Sequence, residues 1–467
     1  MTPAVRSIFG AAVVTIVALG GAIVTARRAD SRETLPAALT FSNAAGVIGT
    51  LTAGGSFDEA NPFFAELGTN GRTCGSCHRP AQAWSIAPGE IAARFERTAG
   101  LDPIFRTKDG SNCEKADVST LDARRRSFSA LLGKGLIRIA LDVPPGAEFE
   151  IVGVDDPYRC GSPLTSASMY RRPLPTANLS FLSAVMWDGR ASRPGHAIKD
   201  DLIGQAIDAT AQHAEGASPS SAQLRKIVDF ELGLVAAQVR DRAAGSLSAA
   251  GARGGTSTLA QEPFCIGIND PLGMRPAMPG ACLATSRGLD PVVFTLFRAW
   301  QDAASPERQA IARGEVVFNT RRFAIDNVPG LNGNAQDPVS GPLTTGTCTV
   351  CHDTPNAGNH SVAMALNIGV VDPSRRTPDL PLYTLRNRAT GEVVQTTDPG
   401  RAMVTGRWRD IGKFKGPILR GLAARPPYFH DGSAATLPDV IAFYDKRFRI
   451  QLTDREKADL LAFLSAL

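Results

Sequence analysis

Two copies of the five-residue pattern C-x-x-C-H constrain the fold of this chain more than any other feature. The first copy spans Cys74–His78 and the second spans Cys348–His352. Positions i, i+3 and i+4 lie on one face of a helical turn, so each copy can present two thiols and an imidazole together. Three kinds of site begin with this pattern: half of a zinc site, a dithiol redox pair and a covalent haem anchor.

The spacing and the duplication favour haem. A structural zinc site needs four ligands at defined spacings, and the chain contains no further C-x-x-C pair. A dithiol pair requires neither the adjacent histidine nor a second copy, whereas in a c-type haem site the thiols bond to the vinyl groups and the histidine binds iron. We therefore predict two covalent c-type haems. Their anchors and iron ligands are, in chain order, Cys74, Cys77, His78, Cys348, Cys351 and His352.

The amino terminus predicts export. Arg6 precedes an apolar stretch at residues 8–26, and Arg27 and Arg28 follow it. This pattern fits a cleaved secretory signal and a retained membrane anchor equally well, within residues 1–30. We expect a periplasmic bacterial protein, either soluble or anchored by this segment.

Four cysteines lie outside the two motifs, an even number for an exported chain. Pairing Cys113 with Cys160 and Cys265 with Cys282 joins neighbours along the chain, although four cysteines allow three connectivities. Four buried, unpaired thiols are the alternative, but free thiols are uncommon in oxidising compartments. We therefore predict two disulfides.

Length and composition exclude one class of protein. The chain has 467 residues, 43% of them hydrophobic, which is typical of a globular protein with more than one domain. Lys and Arg exceed Asp and Glu by five, without a run of like charges. This balance argues against a nucleic-acid-binding protein.

The apolar pattern predicts a mostly α-helical fold with a small β-containing insertion. A short helix precedes each C-x-x-C-H copy, at residues 61–68 and 308–320, which indicates one unit used twice. Strand-like runs occur within residues 135–154.

Helical periodicity returns over residues 220–241, and two amphipathic helices end the chain. Thr453 and Glu456 form a capping box for the last helix. The Gly-, Ala- and Ser-rich segments 40–56 and 243–258 are interpreted as loops or connectors.

Four stretches, taken in order, resemble one protein family. Besides the two C-x-x-C-H copies, the chain carries Trp-Asp-Gly-Arg at 187–190 and Pro-Tyr-Phe-His-Asp-Gly at 427–432. A Lys-Phe-Lys-x-Pro-x-Leu-Arg segment precedes the latter at 413–420. This combination resembles the bacterial di-haem cytochrome c peroxidases, which include the MauG-type enzymes. The resemblance is strongest after residue 308 and weakest across residues 100–170.

The resemblance implies two cytochrome-c-like domains with their haems near the interface. They would be residues 31–300, with an insertion at about 100–170, and residues 301–467. The first haem would reduce hydrogen peroxide to water with electrons relayed from the second. Two alternatives stay open: a MauG-like oxidase that uses high-valent haem to oxidise a partner protein or small molecule, and a non-enzymatic di-haem electron carrier.

The resemblance also implies partners and roles for single residues. The electron donor would be a small redox protein or a quinol-linked donor, and a homodimer is compatible with the family. Trp187 would lie between the haems and relay electrons, with Arg190 as a further candidate catalytic residue. His430 would form a hydrogen bond to a haem propionate or to a residue beside the haem, rather than bind iron. Asn178 would bind an inter-haem calcium together with backbone oxygens of Arg425 and Pro427.

The remaining ligand of the second haem is the main variable in the family. Peroxidases carry Met fourteen residues beyond the histidine of His-Asp-Gly, and MauG-type enzymes carry Tyr, which matches Tyr444 here. A phenolate would stabilise oxidised iron, whereas Met raises the potential. Met403 is the rival ligand, and a packed Tyr444 without a bond to iron is the alternative.

Around the first haem the chain departs from the peroxidase pattern. It has no histidine between His78 and His196, so the displaceable ligand of resting peroxidases is missing. The acidic residue that helps the family to break the O–O bond is not evident after Trp187. His213 is the candidate acid/base, because an imidazole can accept one peroxide proton and return it to the leaving oxygen. An ordinary polar role for His213 is the alternative.

Overall fold

Strands contribute far more to the fold than the sequence predicts. The computed structural model describes residues 38–55, 57–262, 290–332, 344–353, 356–358 and 365–467. Within these ranges the fold is mixed α and β rather than mostly α-helical. The α-helices are α1 (Pro88–Thr98), α2 (Leu121–Ser127), α3 (Ser129–Lys134), α4 (Ile198–His213), α5 (Ser221–Gly233), α6 (Thr256–Leu259), α7 (Pro306–Thr320), α8 (Ala402–Thr405), α9 (Leu437–Phe448) and α10 (Asp454–Ser465).

The strands of the described residues form four small antiparallel sheets. Their orders are β1-β2-β6-β7, β11-β10-β4, β3-β5 and β8-β9. The strands are β1 (Ala38–Asn43), β2 (Gly46–Thr52), β3 (Ile137–Asp142), β4 (Phe149–Asp155), β5 (Ser166–Arg171), β6 (Leu234–Asp241), β7 (Gly245–Ser246), β8 (Phe323–Ala324), β9 (Thr345–Gly346), β10 (Leu382–Asn387) and β11 (Val393–Thr396).

The inserted region is bonded to the carboxy-terminal part of the chain. Strands β3 and β4 form where the sequence predicts them, but β3 pairs with β5, and β4 pairs with β10. In that pairing Val154 lies opposite Tyr383, whose hydroxyl donates a hydrogen bond to the Ser168 carbonyl at 2.8 Å. At the end of β5, Arg171 Nε lies 2.7 Å from Asp398 Oδ2. The insertion therefore reaches the region that carries the later motifs.

Two segments interpreted as loops belong to sheets and cores instead. Residues 40–56 contain most of the β1–β2 hairpin, and Asn43 closes its turn by accepting two backbone hydrogen bonds at 2.9 Å. Residues 243–258 contain β7 and most of α6, and Leu247 is fully buried. The small residues hide this order because Gly and Ala give little periodic signal in either structure.

The helix expected over residues 220–241 ends at Gly233. From Leu234 the chain continues as β6, which pairs with β2 and is mostly buried. An apolar run of this kind satisfies helical and strand periodicity equally well. The β-branched Val235 and Val239 then favour the strand, once a partner is available.

Helices α7 and α10 cross at close range in the second half of the chain. A Cβ added to Gly314 would lie 2.0 Å from the Asp459 carbonyl oxygen, so only glycine allows this approach. Arg313 binds the Asp459 carboxylate at 2.8 Å. The predicted capping box is confirmed, because Thr453 and Glu456 exchange hydrogen bonds at the start of α10.

One predicted disulfide is confirmed, between Cys113 and Cys160. Cys265 and Cys282, His360 and the amino-terminal segment lie outside the described residues, so the second disulfide and the export segment stay predictions. Among the helices that the structure describes, none combines the length and the apolar character needed to cross a bilayer.

Candidate haem sites

Both C-x-x-C-H copies fold into the tight turn that haem attachment requires. Each begins with a 3₁₀ turn, at Cys74–Ser76 and at Cys348–Val350. The backbone N–H of His78 donates to the Cys74 carbonyl at 3.0 Å, and the second copy repeats this bond at 3.1 Å. All four cysteines of the motifs are free of disulfides. The thiols and the imidazole of each copy therefore share one turn.

Both histidines have the orientation and charge of an iron ligand. His78 Nδ1 lies 2.9 Å from the Trp84 carbonyl, and His352 Nδ1 lies 3.0 Å from the Gly358 carbonyl, six residues further along the chain in each case. An Nδ1–H that donates to a carbonyl leaves Nε2 as the metal-binding atom. Burial lowers the pKa of both imidazoles to about 4, so both are neutral, as iron ligation requires.

Each of the two histidines is supported by its own pair of phenylalanine rings, in a similar arrangement. The ring of Phe63 lies 6.2 Å from the first imidazole and 5.1 Å from Phe230 of α5. The ring of Phe318 in α7 lies 6.1 Å from the second imidazole and 5.6 Å from Phe463 of α10. The two sites thus share a pair of phenylalanines, one of them on a later helix. The helix predicted ahead of the first motif is only the 3₁₀ turn Pro62–Phe64, whereas the one ahead of the second is α7.

The second motif opens onto an apolar cavity of about 200 Å³. Cys348, Cys351 and His352 line it, together with side chains of α7, α9 and α10 such as Leu460 and Leu464. Buried free thiols, a neutral imidazole and apolar walls are the surroundings that a covalently bound haem needs. The residues of this site therefore fit the predicted haem.

Tyr444 faces the second motif. It projects from α9 into the cavity, where its ring stacks on Phe448 at 6.2 Å. Burial raises the pKa of its phenol, and Cys348 and Cys351 line the same cavity. Ligation of iron by Tyr444 stays a prediction.

Met403 lies elsewhere, which argues against it as the rival ligand. Its side chain is buried in α8 within a different core, where it packs with Phe149, Met169 and Leu385 around the inserted sheet. Met403 is absent from the lining of the haem cavity. The cause is the β4–β10 pairing, which gives the α8 segment an apolar core of its own.

Trp187 lines the cavity of the second motif, whereas Arg190 does not. The indole Nε1–H donates to the Arg172 carbonyl at 2.7 Å, and the Trp187 carbonyl accepts from the Lys415 N–H at 2.8 Å. Arg190 turns back to Asp188, with its guanidinium 3.1 Å from the carboxylate. The structure thus fixes Trp187 beside the second site and gives Arg190 a partner outside the cavity.

His430 also lines this cavity and belongs to a buried charge network. Its ring stacks on Phe414 at 4.2 Å, and its Nε2 lies 3.6 Å from Asp398 Oδ2. Arg171 bridges Asp398 and Asp188, with 2.7 Å and 2.5 Å between the charged atoms. The network holds His430 beside the cavity, where its predicted contact with a haem propionate stays a prediction.

Three buried cations that sequence reasoning missed also line the cavity: Arg172, Lys415 and Arg425. No carboxylate among the described residues forms a salt bridge with any of them. Burial, and then the charge of Arg425, lower the pKa of Lys415 to about 7. Buried cations without acidic partners are unfavourable unless an anion joins them. The two propionates of a haem are anions of that kind.

The residues expected to bind calcium do not fit that ion. The Asn178 side chain donates to the Ala236 carbonyl at 2.8 Å and accepts from the Ala236 N–H at 3.0 Å. The Arg425 carbonyl instead accepts a hydrogen bond from Arg172 Nη2 at 3.2 Å. The Arg172 guanidinium thus lies beside the Arg425 carbonyl, where the resemblance predicts the calcium ion.

Near the first motif, His213 belongs to a cluster with Asp109 and Arg72. Its Nδ1 lies 2.5 Å from Asp109 Oδ2, and the same carboxylate binds Arg72. The side chain of His213 is 38% exposed. A half-exposed imidazole held by a carboxylate has an ordinary structural explanation, so the acid/base role stays a prediction. His196 is also exposed and lies 4.0 Å from Asp201.

Glu231 of α5 is a candidate residue that sequence reasoning missed. Its side chain is buried, and its Oε2 has no hydrogen-bond partner. Burial raises the pKa of its carboxyl to about 8. Leu224, Ile227 and Val228 mark the apolar face of α5, and Glu231 continues that face one turn later. A lone acid on an apolar face was the signal available in the sequence.

Curated proteins are similar to part of this chain. No family model matches. A cytochrome-c peroxidase, IdrP1, of Denitromonas iodatirespirans is 33% identical over 140 residues, which cover 26% of this chain and 36% of the relative. The cytochrome c551 peroxidase of Nitrosomonas europaea is 34% identical over 166 residues, which cover 34% of this chain and 42% of that protein. The matches thus span well under half of these relatives.

A solved structure also resembles the chain over most of its length. It is a MauG-like protein associated with microbial copper homeostasis, with 16% identity, coverage of 86% of this chain and 85% of that protein, and a TM-score of 0.36. The sequence matches confirm the predicted similarity to cytochrome-c peroxidases.

Proposed function

We propose that this chain, which is similar to bacterial cytochrome-c peroxidases, is a di-haem c-type peroxidase that reduces hydrogen peroxide to water. The duplicated turn carries this proposal, because each copy offers two free thiols and a neutral imidazole bonded through Nδ1. When bound, the haems supply iron that exchanges electrons, and the first of them supplies the place where peroxide reacts. The residues around His352 would hold the haem that accepts electrons, and those around His78 would hold the haem at which peroxide reacts.

The chain's own residues orient the path between the two sites. Hydrogen bonds from the indole and to the backbone carbonyl hold Trp187 against Arg172 and Lys415. The cations near this path would neutralise the propionates of a bound haem, and the apolar walls of the cavity exclude water. Charge neutralisation and the exclusion of water would both favour electron transfer, and the cavity walls would keep the haem in one orientation.

A second candidate function is supported by Tyr444. In this alternative, the chain oxidises a partner protein or small molecule in the MauG manner. A phenolate on the second iron would stabilise its oxidised state. A Tyr444→Phe variant tests this ligand: an altered optical or paramagnetic resonance spectrum of the second haem alone supports it, and an unchanged spectrum removes it.

Partners and location follow from the same proposal. The electron donor is a small redox protein or a quinol-linked donor, because the second haem must be reduced again after each turnover. The apolar segment at residues 8–26 supports a periplasmic location, soluble or anchored. A homodimer is part of the proposal only through the family resemblance.

Spectra of the purified holoprotein test the function directly. A haem-content assay should give two c-type haems per chain. We expect the half-reduced protein to react with one equivalent of hydrogen peroxide and to change the spectrum of the first haem. Two low-spin haems that never react with peroxide in any redox state would instead identify an electron carrier and contradict the peroxidase.

A further inference from the structure

Arg172 joins three segments of the chain beside the second cavity. Its backbone N–H donates to the His430 carbonyl at 2.6 Å, and its carbonyl accepts from the Trp187 indole at 2.7 Å. Its guanidinium donates to the carbonyls of Lys134 at 2.8 Å and Arg425 at 3.2 Å. A single positively charged residue thus bonds α3 to the segments that carry Trp187 and His430.

Two of the three predicted calcium ligands already have other partners. Calcium binds oxygen atoms, backbone carbonyls among them. The Arg425 carbonyl accepts from the Arg172 guanidinium, and the Asn178 amide is bonded in both directions to the Ala236 backbone. A divalent cation beside the Arg425 carbonyl would also be repelled by the guanidinium. The positive charge at this position is therefore supplied by the chain itself.

Lys415 and Arg425 add two further positive charges to the wall of the same cavity, and together with Arg172 they are called the cavity cations below. Arg172 is 4% exposed, and the other two are 9% exposed. Among the described residues, Arg425 Nε has no hydrogen-bond partner. Burial, and then the charge of Arg425, lower the pKa of Arg172 to about 9. Buried cations that repel one another in this way require an anion.

The neighbouring Arg171 shows how a buried cation of this region is neutralised. Its guanidinium lies 2.7 Å from Asp398 Oδ2 and 2.5 Å from Asp188 Oδ2. Arg172 follows directly, and successive side chains at the end of a strand point to opposite sides, so that its own side chain reaches the cavity. Within the part of the chain that the structure describes, no carboxylate neutralises a cavity cation. The anion that they require therefore belongs in the cavity.

We propose that the cavity cations take the place of the inter-haem calcium ion and bind the propionate carboxylates of the second haem directly. The inference deepens the proposed function and rests on the haem predicted at His352. Because these cations are part of the chain, the positive charge beside Trp187 does not depend on free calcium. The holoprotein should therefore keep the potentials of both haems when calcium is removed.

Calcium titration of the holoprotein tests the replacement. The protein is dialysed against a chelator and titrated with calcium in a calorimeter, and the potentials of both haems are measured before and after. We expect no saturable binding and the same potentials in both conditions. Saturable calcium binding that changes the potential of either haem overturns the replacement.

The charge itself is tested by Lys415→Met, with Lys413→Met as the matched control. Lys413 is also buried, but it pairs with Asp410 at 3.2 Å and is absent from the lining of the cavity. Loss of a cation beside a haem disfavours the reduced iron, so Lys415→Met should lower the potential of the second haem. We expect about a tenfold change in the one-electron equilibrium constant, or about 59 mV. Lys413→Met should shift it much less, and Lys415→Arg should keep the wild-type potential.

A vibrational measurement reports on the propionates directly. Loss of a charge-assisted hydrogen bond changes the bending mode of a carboxylate, which resonance Raman spectra of haem proteins record. We expect the propionate band of the second haem to shift in Lys415→Met and to stay at its wild-type position in Lys413→Met. A Lys415→Met variant with the wild-type propionate band and the wild-type potential overturns the binding of propionate by this cation.

These outcomes are distinguishable from failure of the proposed function. Reaction with hydrogen peroxide tests the peroxidase, whereas the potentials and the propionate bands are measured without peroxide. A holoprotein that never reacts with peroxide contradicts the peroxidase and leaves the test of the cavity cations in force. In that protein, a shifted propionate band in Lys415→Met and potentials that ignore calcium would still support the replacement.

Discussion

The two haem sites share their attachment and differ in what surrounds it. Each has a C-x-x-C-H turn, a histidine bonded to a carbonyl six residues later and a phenylalanine about 6 Å from the imidazole. Around the second site lie a tyrosine and three buried cations, whereas around the first lies one buried, unpaired acid. The attachment turn is therefore repeated within the chain, while the charged and polar groups around the two copies differ.

The largest effects are expected when the two predicted iron ligands, His78 and His352, are replaced one at a time. We expect His78→Met to abolish peroxide reduction, because the reacting site loses its imidazole. We expect His352→Met to preserve a single reaction of chemically reduced first haem but to prevent repeated turnover. Stopped-flow spectra at both haem bands measure this. Loss of single-turnover reactivity in His352→Met alone would reverse the assignment.

A smaller effect, on the rate of electron transfer between the two sites, is expected when Trp187 is replaced. Trp187→Phe removes the indole and its bond to the Arg172 carbonyl while keeping a ring in the cavity. We expect electron transfer between the haems to slow by about tenfold or more, equivalent to at least ~1.4 kcal/mol in the barrier. The control is Trp408→Phe, whose indole bonds to Glu392 beside the inserted sheet. Equal rates in the two variants would exclude Trp187 from the path.

The guanidinium of Arg172 gives the next prediction. Arg172→Met leaves the Lys134 and Arg425 carbonyls without their donor, so we expect the free energy of unfolding to fall by about 1–3 kcal/mol. Urea unfolding measures this loss.

Chelation of calcium should leave the unfolding and the spectra of the wild type unchanged. If a chelator lowers the stability of the wild-type protein, the prediction of a calcium site is supported after all.

An effect of the same size as that at Arg172 concerns the helix crossing behind the second site. Gly314→Ala forces α7 away from α10, and overpacking of this kind costs about 1–3 kcal/mol. We expect a lower melting temperature and a perturbed spectrum of the second haem only. Gly204→Ala is the matched control, because an added Cβ in α4 meets nothing within 4 Å. A first-haem spectrum that changes as much as the second would show that the sites are not independent.

The parts of the fold and site that the sequence predicts are those with local causes. The C-x-x-C-H turns, the capping box at Thr453 and the strands of the insertion depend on residues close together in the chain. The helix that ends at Gly233 and the hairpin within residues 40–56 depend on pairing between β2 and β6, which no local pattern records. Whether such a segment forms a helix, a strand or a loop depends on partners that are distant in the chain.

The same distinction applies to the candidate residues. The turns that carry His78 and His352 could be predicted because the cysteines and the histidine are adjacent in sequence. The position of Tyr444 beside the second motif could be predicted from its distance to His430. The displacement of Met403 into another core follows from the distant β4–β10 pairing. The role of Arg172 beside Arg425 has the same kind of cause, since a contact across more than two hundred residues leaves no trace in spacing.

The carbonyl that binds each histidine lies only six residues beyond it. Everything needed to anchor one haem, from the first thiol to that carbonyl, is therefore contained in eleven consecutive residues. Closing so short a loop costs little conformational entropy. Each of these eleven-residue segments can thus form its turn before the distant strands have paired, so that attachment of a haem would depend on little of the surrounding fold.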